Sequence, residues 1–84
     1  MIEILYFAWL RDRLGRSTER AELPPGIRTV RALMAWLQER EPAFAAIAGE
    51  NRGVRVAVNQ EFAGPDDPVA PGDEVAFFPP VTGG

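Results

Sequence analysis

The sequence predicts an α+β domain, a mixed sheet packed on one main helix, on the strength of three observations. Strand-like alternation lies near both ends of the chain, one amphipathic helical stripe lies between them, and Gly and Pro punctuate the intervening stretches. A length of 84 residues bounds this to one small domain with room for a core but little for an enclosed active site.

Ile2, Ile4 and Tyr6 alternate with Leu5 and Phe7, predicting a first strand with apolar groups on both faces. Trp9–Leu14 suits a helical turn, and Gly15 permits a reversal. A short polar strand over residues 17–23, placed at an edge, is stopped by Pro24-Pro25-Gly26. Thr29 is the expected N-cap of the main helix, where Val30, Leu33, Met34 and Leu37 fall at i, i+3, i+4 and i+7 and Trp36 flanks the stripe. The residue before a proline avoids the α region, so Glu41-Pro42 ends that helix; Pro42 then opens a second short one over 43–48, closed by Gly49.

Val54, Val56 and Val58 alternate with Arg55 and Ala57 as a strand, and Asn59-Gln60 forms a tight turn into a short return at Glu61-Phe62. Ala70-Pro71-Gly72-Asp73 suits a type II turn before the last strand, Glu74–Phe78. The order is β-β-α-(α)-β-(β)-β around one principal helix, which by analogy is that of the β-grasp (ubiquitin-like) fold. Pattern alone also tolerates a ferredoxin-like half or another small α+β sandwich. The expected division is a domain over 1–78 and a flexible C-terminal tail over 79–84.

Composition narrows the chemistry. The chain has no Cys and no His, which removes thiol nucleophiles, disulfides, thiolate metal sites and the usual general base near neutral pH. A net charge of −3 argues against nucleic acid as a partner. No basic leader and no span-length apolar stretch is visible, so a cytoplasmic protein without membrane association is expected. All nine basic residues are Arg, so no lysine amine is available to accept an isopeptide bond.

After Phe78 the chain reads Pro79-Pro80-Val81-Thr82-Gly83-Gly84. Prolines cannot extend a ladder as donors, so the strand ends and the chain leaves it extended; six residues then reach roughly 20 Å, enough to enter a pocket of another protein. A carboxylate becomes electrophilic once adenylated, and an active site that grips the backbone around that carbon needs residues as narrow as Gly83 and Gly84. Gly-Gly by itself is weak evidence, since frayed glycine ends are common.

Val58-Asn59-Gln60 and the run Pro71-Gly72-Asp73-Glu74-Val75-Ala76-Phe77-Phe78-Pro79-Pro80-Val81-Thr82-Gly83-Gly84 resemble the small, sulfur-carrying subunit of molybdopterin synthase, a ubiquitin-like family. The Phe-Phe-Pro-Pro-Val-Thr-Gly-Gly ending is highly specific to it. Tyr6-Phe7-Ala8 with Arg11 and Leu14 resemble it more weakly, and the middle of the chain carries only a compatible pattern. The resemblance implies a non-catalytic carrier, active only with its large subunit. Its Gly84 is adenylated by an E1-like adenylyltransferase that uses ATP–Mg, and is then converted to a thiocarboxylate. The tail, with Pro80, Val81, Thr82 and Gly83 as recognition residues, enters the large subunit, where sulfur passes to precursor Z in molybdenum cofactor biosynthesis. Two small and two large subunits are implied, with no cofactor or metal bound by this chain.

In the last strand Val75 and Phe77 are assigned to the core and Phe78 to the outer face. With Phe7, Phe62 and Pro80 it would form a partner-docking patch, a role the resemblance strengthens. For any single phenylalanine, ordinary core is an equal alternative. Arg11 could pair with a partner carboxylate, against the default of a solvated surface arginine. Asp66-Asp67 are turn residues before they are a metal or acid–base pair, and Asp73-Glu74 stay undecided. Three rivals remain open: a carrier for thiamine or tRNA thiolation, a ubiquitin-like modifier of lysines, and an interaction module with incidental glycines.

Overall fold

The computed structural model describes residues 1–48 and 53–79; Gly49 and Pro80–Gly84 lie outside them. The elements run β1 (Ile2–Tyr6), α1 (Trp9–Leu14), β2 (Thr18–Ala21), α2 (Val30–Arg40), α3 (Pro42–Ala48), β3 (Arg55–Val58), β4 (Glu61–Ala63) and β5 (Glu74–Phe78). They form a five-stranded sheet in the order β2-β1-β5-β3-β4. β1 and β5 are parallel at its centre, with Glu3 opposite Glu74 and Tyr6 opposite Phe77, and the other neighbouring strands are antiparallel.

The helical stripe is buried as its spacing requires: Val30, Leu33 and Leu37 are at most 2% exposed, and Met34 and Trp36 pack beside them half-buried. They meet the sheet face carrying Ile2, Ile4, Tyr6, Val56, Val75 and Phe77, with Phe44 of α3 closing one side. Each such apolar side chain removed from water contributes about 1.5–3 kcal/mol. The Phe44 ring meets Phe77 edge-on with centroids 5.1 Å apart. The Thr29 hydroxyl accepts from Ala32 N–H at 3.2 Å, the expected cap.

The turns follow their residues. Asn59 and Gln60 both have positive φ, the requirement of a type I′ hairpin turn. Gly72 has φ 94°, and Asp73 N–H donates to the Ala70 carbonyl at 3.1 Å, as a type II turn demands. Asp73 is also a turn residue in its side chain, accepting from Ala70 N–H and from the Asn59 amide. Asp67 accepts from Gly64 N–H at 2.7 Å, while Asp66 pairs with Arg31 in an exposed setting worth little. No helix among the described residues is long and apolar enough to cross a membrane.

Candidate functional site

With α2 covering one side of the sheet, alternation leaves the other side to Leu5 and Phe7 of β1 and its end, Glu74, Ala76 and Phe78 of β5, Arg55 and Ala57 of β3, and Phe62 of β4. Register then does what sequence distance cannot. Ala57 faces Ala76 on one neighbour and Phe62 on the other, so two alanines form a floor with aromatic rings around it. The result is a shallow groove of about 360 Å³ bordered by Leu5, Phe7, Gln60, Phe62, Glu74 and Phe78.

Phe7 stacks on Phe78 with centroids 4.7 Å apart and planes 7° from parallel, and Phe62 tilts against Phe78 from the other side at 5.9 Å. The Arg55 guanidinium lies 5.1 Å from the Phe62 ring centroid. Ala57 and Ala76 are 7% and 6% exposed beneath the rings, whereas Phe62 is 69% and Phe7 42% exposed. Large apolar groups held this far in water mark an interaction surface. Three of the expected docking residues, Phe7, Phe62 and Phe78, are therefore brought together. Arg11 is not: it lies on α1 outside the groove, exposed, and approaches Asp12 at 3.9 Å.

The groove members that sequence reasoning missed are Leu5, Ala57, Gln60 and Ala76, while Glu74, undecided from sequence, borders the groove. The alternation of Val56-Ala57-Val58 and Val75-Ala76-Phe77 contained a signal for the alanines, but only the pairing of β3 with β5 makes a floor of them. β5 runs from this floor through Phe78 to Pro79, directly into the tail. A larger groove of about 450 Å³ is walled by residues 23–28 and 68–71, apart from this aromatic face.

The corner after β1 has unusual backbone. Ala8 has φ 57° and ψ −135°, and Leu10 N–H donates to the Phe7 carbonyl at 3.2 Å. This is the first central position of a type II′ turn, where glycine is ordinarily required. A residue with a Cβ there costs of order 1–3 kcal/mol.

The groups with displaced titration sit elsewhere. Burial, helped by the hydrogen bond donated to Glu19 at 2.7 Å, pushes the Tyr6 hydroxyl well above its ordinary value. Arg16 is held charged chiefly by its 2.6 Å bond to Glu41. With Arg40 they form a cluster joining β1, β2 and the end of α2, a structural brace beneath the sheet's other face. Among the described residues no three His, Cys, Asp or Glu side chains gather to hold a metal.

The model of the ThiS family matches residues 4–84, a span that takes in the groove, the tail and both terminal glycines. The chain belongs to the ThiS family. Among the family's curated relatives, the molybdopterin synthase sulfur carrier subunit of Escherichia coli (strain K12) is 42% identical over 84 residues, covering 100% of each chain. The protein of the same name from Homo sapiens is 32% identical over 88 residues, covering 99% of this chain and 93% of its own. The crystal structure of Haloferax volcanii small archaeal modifier protein 1 superposes with a TM-score of 0.78 at 30% identity, over 95% of this chain and 97% of the other. The expected family and the β-grasp fold are both borne out by these likenesses.

Proposed function

We propose that this ThiS-family chain carries sulfur on the carboxyl carbon of Gly84 and docks its partners through the groove of Phe7, Phe62 and Phe78. The observation that carries the reading is that β5, which lines the aromatic groove, is the strand that runs on in sequence to Gly84. β5 contributes Ala76 and Phe78 to the groove and continues through Pro79 towards Gly84. A partner that covers the groove thereby holds the strand from which the chain runs on to Gly84, which brings the carboxylate near the partner's own reacting groups.

In the proposed cycle an E1-like adenylyltransferase uses ATP–Mg to form the Gly84 acyl-adenylate and release pyrophosphate. A sulfur donor then displaces AMP and leaves a thiocarboxylate. The large subunit of molybdopterin synthase takes up the tail, contacting Pro80, Val81, Thr82 and Gly83, and the sulfur passes to precursor Z in the cytoplasm. The large-subunit partner is supported by the identity of the relatives, which are sulfur carrier subunits of molybdopterin synthase. A pairing of two carriers with two large subunits belongs to the same proposal. The chain's own part is to present the carboxylate; with neither His nor Cys, it leaves proton transfer to its partners.

The test is intact mass after incubation with the adenylyltransferase, ATP–Mg and a sulfide source. One oxygen exchanged for sulfur, localised to Gly84 and lost when Gly84 is deleted, supports the carrier chemistry. An unchanged mass with an enzyme competent on another carrier sinks it. A second reading, attachment of Gly84 to amines of other proteins, draws on the modifier named in the Haloferax volcanii likeness. Covalent ladders in cell extract that vanish on deletion of Gly84 would favour it.

A further inference from the structure

We infer that Ala8 is a positioning residue for partner docking: its methyl group narrows the freedom of the turn after β1 and so holds Phe7 against Phe78 where the tail leaves the sheet. The inference rests on the docking role proposed for the groove. Ala8 occupies glycine's place in the turn, yet it is exposed, so no packing of its methyl in the core accounts for its presence. A glycine would form the same turn without strain, but with a far broader range of backbone angles.

What flanks Ala8 gives the stiffness a use. Phe7 is 42% exposed and is tied to the sheet by its N–H, which donates to the Phe77 carbonyl at 3.1 Å, and by its stack on Phe78. On the other side of the corner stands Trp9, 41% exposed, with the Arg13 guanidinium 5.5 Å from its ring centroid. The two exposed aromatics on either side of this corner, Phe7 lining the groove and Trp9 outside its lining, are joined through the backbone of Ala8. An aromatic anchor already held in place loses less freedom when a partner closes over it, and so binds more tightly for the same contact area. Strain kept at such a point is the pattern of a functional site rather than of a folding requirement.

Titration of the intact chain with purified molybdopterin synthase large subunit tests this, using the wild type, Ala8→Gly and Phe78→Ala, with the thermal midpoint of each chain measured alongside. Ala8→Gly is expected to keep or raise the midpoint while weakening the complex roughly three- to tenfold. An affinity equal to wild type overturns the inference, and so does a lowered midpoint, because Ala8 would then serve the fold. If the wild type fails to bind, or Phe78→Ala binds as wild type does, the docking reading itself falls and this inference with it. Binding by the wild type, loss in Phe78→Ala and no change in Ala8→Gly would sink the role of Ala8 alone.

Discussion

Phe7 and Phe78, from the ends of two parallel neighbouring strands, stack face to face with centroids 4.7 Å apart. The stack sits where β5 ends, so one aromatic pair both borders the groove and marks the point from which the chain runs on to its C-terminal residues. Because Phe78 also touches Phe62 from the hairpin, three separated segments meet on its ring.

Phe62 and Phe78 separate binding from stability. Phe62→Ala removes a ring that is mostly in water, so its effect on folding stays within about 0.5 kcal/mol. Binding to the large subunit weakens by about 1–2 kcal/mol, or roughly five- to thirtyfold, if the groove is the docking face. Calorimetric titration and thermal melting of the same variant check the two halves independently.

Adjacent residues of β5 behave oppositely. Phe77 is fully buried between Tyr6, Phe44 and the helices, and Phe77→Ala costs about 3–5 kcal/mol, enough to unfold much of so small a domain. The neighbouring Phe78→Ala leaves the chain folded and reduces partner binding. Urea denaturation followed by circular dichroism distinguishes them.

The Tyr6–Glu19 bond predicts an alkaline weakness. The folded state holds the Tyr6 proton to higher pH than the unfolded chain, which releases it near pH 10, so the stabilisation is complete below about pH 10 and is lost above it. Stability of the wild type then falls with rising pH by up to about 1.4 kcal/mol per unit. Tyr6→Phe loses about 1 kcal/mol at neutral pH with the hydrogen bond and has a flatter profile between pH 9 and 11. Denaturant midpoints across that range provide the comparison.

Gln60 stands at the second positive-φ position of its turn, with φ 72°. Gln60→Gly supplies the residue a type I′ turn prefers and is expected to stabilise the fold by about 0.5–1 kcal/mol. Chemical denaturation measures it; a loss of stability would mean that the Gln60 side chain contributes more to the groove's edge than its exposed position indicates.

How far the site was legible follows from the range of the interactions that make it. The stripe of Val30, Leu33 and Leu37, the Thr29 cap, the turn at Ala70–Asp73 and the outward setting of Phe78 depend on spacing within one segment, and spacing is written in the chain. The family likeness was legible there too, in the ending Phe-Phe-Pro-Pro-Val-Thr-Gly-Gly. Tertiary structure decided what depends on register between strands distant in sequence. It set Ala57 opposite Ala76 to make a floor, swung Phe62 to the side of Phe78, left Arg11 outside the groove and forced Ala8 into glycine's conformation. None of these follows from a local period, because each is set by which strand lies beside which, and that choice is made by burial of the whole sheet against α2.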